Sequence, residues 1–164
     1  MQLTTFADLG LRVLMVLGAT QAVGAADRSP VRIQDLADQL NASRNHVAKV
    51  VNMLASDGLL ESIRGRHGGV HITEQGMRAS VGALLRQLED NREVVDCEGA
   101  LQCPLARHDC ALRHRLAAAQ EAFFATLDGD TVGDLVSATK GLAAGASGGP
   151  VPLGAPTLKA RPTI

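Results

Sequence analysis

Between Ser43 and Gly58 the chain places Val47, Val50, Val51 and Leu54 at i, i+3, i+4 and i+7, the spacing of one buried face of an α-helix. Ser43 supplies a side-chain oxygen that can cap such a helix, and Gly58 ends it. A second periodic run, Ile33, Leu36, Ala37 and Leu40, lies just upstream behind Pro30. Two helices joined by only about three residues form a helix-turn-helix. Directly downstream, Leu59 to Ile63 and Val70 to Thr73 are β-prone runs flanking Arg64, Gly65, Arg66, His67, Gly68 and Gly69, which predicts a hairpin. This order of elements restricts the fold to one class, mainly α with a small β-hairpin wing: a winged helix-turn-helix.

The remaining segments extend that frame with helices. Thr5 to Ala19 carries Phe6, Leu9, Val13, Leu14 and Leu17 at helical spacing. Thr5 followed by Asp8 predicts a cap at Thr5, with the carboxylate near the positive end of the helix dipole. Thr73, with Glu74 and Gln75, opens a single helix that carries Val81, Leu84, Leu85 and Leu88. Further on, Leu112, Leu116, Ala119, Phe123 and Leu127 mark one stripe of a long helix, and Thr131 to Ser137 suits a short last one. The chain has three Phe and neither Trp nor Tyr, so Leu, Val and Ala must fill the core. From Gly141 onward, five Gly and four Pro in 24 residues, without an acidic side chain, predict a disordered tail. The division expected is a DNA-binding domain over residues 1–90, a cysteine loop and long helix over 91–138, and the tail over 139–164.

The formal net charge is -1, so any nucleic-acid site must be local rather than announced by a global basic field. From Ser43 to His67, Arg44, Lys49, Arg64 and Arg66 outnumber the acidic Asp57 and Glu61. On the outer face of the third helix, Ser43, Arg44, Asn45, His46, Lys49 and Asn52 are the side-chain types that reach base edges and phosphates. Arg64, Arg66 and His67 sit on a glycine-rich turn whose backbone can approach a phosphate or enter a minor groove. Taken singly, each of these residues suits a solvated polar face equally well. Their order along the chain favours DNA binding. The apolar run around Val13 to Ala19 has no basic leader and falls short of the ~20 residues of a membrane span, so no membrane is expected and the location expected is cytoplasmic.

Cys97, Cys103 and Cys110 occupy a fourteen-residue stretch, spaced by five residues and then six. Three cysteines cannot all pair within one chain, and in a reducing compartment such clustering points to metal. The spacing is too wide for a zinc knuckle but suits a loop wrapped around an iron-sulfur cluster, which takes thiolates and leaves one position here for another ligand. Zinc with His108 or His114 is the competing reading, and neither histidine is assigned as a ligand. No Ser/His/Asp arrangement, phosphate-cradling loop or paired carboxylates point to an enzyme.

Three features in this order resemble a known family, the iron-sulfur winged-helix transcriptional regulators of the IscR/NsrR type. They are the opening Met1 to Leu14, the Gly65 to Gly69 wing and the three-cysteine loop, and the resemblance covers roughly residues 1–138. The run Val94-Val95-Asp96-Cys97-Glu98-Gly99, the step Cys103-Pro104-Leu105 and the run Ala119 to Phe123 are most similar to the nitric-oxide-sensing branch. The resemblance implies a homodimer in which a long helix, from about Leu105 to Leu127, packs against its partner. It further implies inverted-repeat operator DNA, nitric oxide as signal, and a 4Fe-4S cluster on Cys97, Cys103 and Cys110, with Asp8 of the other subunit as fourth ligand and Arg12 in a coupling role. From the residues alone Asp8 equally suits favouring its helix N-terminus or pairing with Arg12 at i+4.

One residue more than the family pattern separates Cys103 from Cys110, in the polar stretch Ala106 to Asp109. That bears on the loop geometry and on the cluster type, with a 2Fe-2S cluster switched by redox state or cluster supply as the alternative; a separate alternative is a zinc-binding module that does not bind DNA. Truncation after Thr139 is expected to leave cluster content and DNA binding unchanged, measured on the shortened chain by absorbance and gel shift; loss of either would assign a role to the tail.

Overall fold

The computed structural model describes residues 2–22, 29–66, 68–90, 93–95, 97, 103–106 and 108–139. The expected tail from Gly141 lies outside the described residues. The elements run α1 (Thr5–Ala22), α2 (Ile33–Gln39), α3 (Arg44–Ser56), β1 (Leu60–Ile63), β2 (Gly69–Ile72), α4 (Glu74–Arg78), α5 (Val81–Leu88), α6 (Ala111–Thr126) and α7 (Val132–Ala138). This is the winged helix-turn-helix with added helices.

α1 is the central element and packs on α3, β2, α4, α5 and α7. Its Val13, Leu14 and Leu17 are fully buried, as are Leu36 of α2, Val47 and Leu54 of α3, and Val70 of β2. Each such aliphatic side chain contributes ~1.5–3 kcal/mol of burial free energy, which compensates for the scarcity of aromatic side chains. The cap of α1 is Thr4, not Thr5: its Oγ1 accepts from the Ala7 N–H at 3.1 Å. Two threonines stand side by side, and the first is the one whose hydroxyl reaches the third residue on.

The hairpin pairs Leu60 with Ile72 and Ile63 with Gly69, antiparallel. Both strands sit one residue off the sequence expectation, Leu60–Ile63 against Leu59–Ile63 and Gly69–Ile72 against Val70–Thr73. A third segment joins it, because Val31 exchanges both backbone hydrogen bonds with Val70, at 2.9 and 2.8 Å. A Cβ on Gly69 would stand 2.6 Å from the Val31 carbonyl oxygen, so this approach needs glycine. The wing is thereby tied to the start of α2.

The single helix expected from Thr73 through Leu88 is in fact two. Thr73 caps α4 and Ser80 caps α5, with Ala79 extended between them. The break is stabilised by pairing with the segment before α7: Val81 N–H donates to Asp130 O at 2.9 Å, and Val132 N–H to Ala79 O at 3.1 Å. That partner lies far along the chain, so local periodicity does not reveal it. α6 also departs from the expected range, starting at Ala111 after a turn at Pro104–Ala106. Its expected apolar stripe is only partly covered by the described residues: Leu127 packs against the core, whereas Leu112 is 63% and Phe123 42% exposed, and Phe124 is the buried residue of the helix.

What docks α6 is chiefly Arg86 of α5. Its guanidinium donates to Glu121 of α6 at 2.5 Å and to Asp128 at 2.6 Å, and lies 5.7 Å from the centroid of the Phe124 ring. Gly82, one turn earlier, lets the helices touch, since a Cβ there would meet Phe124 O at 2.4 Å and Asp128 Oδ1 at 2.2 Å. Hydrogen bonding to Arg86 holds both carboxyls below their usual range and raises Arg86. A depressed carboxyl stabilises the fold above its unfolded pKa, and the contribution is lost as pH falls through the folded value. Acid titration of unfolding should therefore show α6 loosening below the ordinary carboxylate range, and Arg86→Met should remove that component. Gly82→Ala is expected to cost ~1–3 kcal/mol in denaturant unfolding through overpacking, and an unchanged midpoint would contradict this contact.

Candidate nucleic-acid interface and cysteine centre

Asn41 takes the left-handed conformation (φ 48°) in the turn between α2 and α3. Ser43 then caps α3, its Oγ accepting from the His46 N–H at 3.2 Å. With Val47, Val50, Val51 and Leu54 buried, the opposite face must point outward. Ser43, Arg44, Asn45, His46, Lys49 and Asn52 are all exposed. The wing places Arg64 and Arg66 in solvent as well. Gly65 has a φ of 119°, and a Cβ on Gly68 would lie 2.3 Å from Ile63 O, so both glycines are required by the turn. His67, expected in the same group, lies outside the described residues.

Charge pairing differs along the chain. Arg12, Arg78, Arg86 and Arg113 each hold a carboxylate, whereas Arg44, Lys49, Arg64 and Arg66 form no ion pair with any described residue. Cations left unpaired beside a groove-sized helix are available to phosphates.

The cysteine segment lies between α5 and α6. Cys97, Cys103 and Cys110 are free thiols, each half-buried, and Cys110 stands at the N-cap position of α6. The Cys103 N–H donates to Cys97 O at 3.3 Å. Burial raises the Cys97 thiol above its usual value, and the neighbouring Cys103 and Cys110 raise it further, while Arg113 opposes them. Among the described residues no group of three Cys, His, Asp or Glu side chains stands in metal-binding geometry. His114 instead pairs with Asp109.

Asp8 is on the first turn of α1, its Oδ1 accepting from Arg12 Nε at 2.9 Å, with both side chains about half exposed. One chain does not bring Asp8 to the cysteines. Sequence reasoning missed two further groups here. Glu89, 7% exposed, accepts from the Thr4 N–H at 2.8 Å and faces the Thr4 hydroxyl at 3.3 Å. Glu93 pairs with Arg113 across the base of the cysteine segment. A cavity of about 270 Å³, lined by Thr4, Glu89, Glu93 and Gln120, lies beside both. Neither group leaves a short-range signature, because its partner is distant in sequence.

A family model described as "Rrf2: Iron-dependent Transcriptional regulator" matches residues 3–138. The chain belongs to the Rrf2 family. The HTH-type transcriptional repressor NsrR of Streptomyces coelicolor is 47% identical over 141 residues, covering 86% of this chain and 92% of that protein. The regulator NsrR of Geobacillus kaustophilus is 36% identical, with 83% and 90% covered. Among solved structures, CymR, the global cysteine regulator of B. subtilis, has a TM-score of 0.61 at 24% identity, covering 85% of this chain and 98% of its own. T. potens IscR has a TM-score of 0.60 at 20% identity, covering 84% and 87%. This Rrf2 protein is a transcriptional regulator that binds DNA, not an enzyme. None of its described helices is long and apolar enough to cross a membrane.

If Lys49 contacts a phosphate, Lys49→Ala should weaken binding to any duplex and lower the salt slope of affinity by about 1. Fluorescence anisotropy across a salt series reads this directly, and an unchanged slope would remove Lys49 from the interface.

Proposed function

We propose that this protein is a dimeric repressor whose operator binding is controlled by an iron-sulfur cluster, 4Fe-4S, that reacts with nitric oxide. Cys97, Cys103 and Cys110 would hold it, with Asp8 of the partner subunit as fourth ligand. The observation that carries the reading is that Cys97, Cys103 and Cys110 are all free and half-buried on one segment leading directly into α6, with the Cys103 N–H donating to Cys97 O at 3.3 Å. Three soft donors confined in this way suit iron-sulfur ligation, since thiolates brought together repel one another unless a cationic group holds them. The likeness to NsrR repressors supports a DNA-binding repressor, and the choice of signal rests on the resemblance of the Val94 to Gly99 run and the Cys103-Pro104-Leu105 step to the nitric-oxide-sensing branch.

Held by Cys97, Cys103, Cys110 and the partner subunit's Asp8, such a cluster would supply iron able to react with nitric oxide. The protein's own part is mechanical and electrostatic. Arg12 fixes the Asp8 carboxylate at the exposed start of α1, and the buried face of that helix packs on α3. A change in what Asp8 engages therefore acts on the element that carries Arg44 and Lys49. α6, with Leu112 and Phe123 uncovered, offers the surface for a second copy. Two recognition helices must match half-sites about one DNA turn apart, so a small shift between subunits is enough to lose specific binding.

The test is anaerobic purification followed by visible absorption, iron and sulfide assay, and stepwise nitric oxide. The reading predicts a brown dimer with about four irons and four sulfides per chain, bleached by nitric oxide. Two of each would move the assignment to a 2Fe-2S cluster, and a colourless protein with stoichiometric zinc would end the sensor reading. Asp8→Ala should alter the spectrum and the nitric oxide response; a variant indistinguishable from wild type would remove Asp8 from the ligand set.

A further inference from the structure

Glu93 lies four residues before Cys97, and Arg113 three residues after Cys110. Their side chains meet with Nε to Oε2 and Nη2 to Oε1 both at 2.6 Å, a two-bond pairing across a sequence separation of 20. We propose that Glu93 and Arg113 are positioning residues of the cysteine centre, an ionic clasp that closes the neck of the loop bearing all three thiols and limits how far Cys97 and Cys110 separate before metal arrives. The proposal takes its purpose from the cluster reading, while its geometry stands without it.

The two-pronged contact fixes orientation as well as distance, which a single charged contact does not. The pairs Asp8–Arg12 and Glu74–Arg78 each lie within one helix and constrain no loop. Arg86 anchors the C-terminal end of α6 to α5, and Arg113 ties its N-terminal end to the chain leaving α5. Between those ties the chain must return on itself, so Cys97 and Cys110 start and finish close to the same place. Closing a loop of this length costs entropy that a ligand would otherwise have to supply on binding. Arg113 also hydrogen-bonds Glu93 strongly enough to hold that carboxyl below its usual range, so the clasp is formed at neutral pH.

The experiment compares full-length wild type with Glu93→Gln, Arg113→Gln, Arg113→Lys and the charge swap Glu93→Arg/Arg113→Glu. The first readout is amide hydrogen exchange of Cys103, whose N–H donates to Cys97 O, in metal-free protein. The neutral variants should exchange about five-fold faster, with Arg113→Lys intermediate and the swap close to wild type. The second readout is the rate at which a chelator bleaches the visible band, which should rise in the same order. High salt should speed exchange in wild type and leave Glu93→Gln unchanged. Equal exchange in wild type and both neutral variants, with circular dichroism unaltered, would overturn the clasp. A colourless wild type that still shows clasp-dependent exchange would sustain the clasp and count only against the cluster.

Discussion

Burial of α1 on nearly every side is the constraint on which the rest of the molecule depends. Val13, Leu14 and Leu17 are withdrawn completely from water, and the two glycines of the helix remove the side chains that would hold neighbours off. A Cβ on Gly10 would stand 3.0 Å from Leu88 of α5, and one on Gly18 would stand 2.8 Å from Val136 of α7. A helix gripped this closely moves as a unit, because close-packed interiors transmit displacement instead of absorbing it. Its first two turns, with Asp8 and Arg12, are consequently rigidly connected to the face that supports α3.

The cysteine segment is attached to this frame at both ends by charge as well as by packing. Glu89 holds the backbone at Thr4, just before the Asp8 turn, while Glu93 and Arg113 close the loop. Farther along, Arg86 grips Glu121 and Asp128 and fixes α6 to α5. The residues just before α1 and those just before Cys97 therefore line one cavity, which holds Thr4, Glu89 and Glu93 together.

The winged helix was legible because its signals are local: the i, i+3, i+4, i+7 series from Val47, the Ser43 cap and the glycine-rich wing each lie within a few residues. The outward face of α3 was legible for the same reason. What escaped depends on distant partners. The break at Ala79 is stabilised by pairing with residues 130–132, and Val31 joins the hairpin only once Val70 is in place. The Thr4 cap was displaced by one residue because Thr5 offers the same hydroxyl. Exposure of Leu112 and Phe123 could not be read from a stripe that fits a buried face and an intermolecular one equally well. Glu89 and Glu93 look like ordinary surface acids until their partners are known.

The central claim is that the state of the cysteine centre sets DNA affinity, and one titration addresses it. Anaerobic protein bound to a fluorescent inverted-repeat duplex is given nitric oxide in steps, with cluster absorbance and anisotropy read from the same cuvette. The account predicts that both signals fall together over the same equivalents. Complete bleaching with the anisotropy unchanged would contradict it.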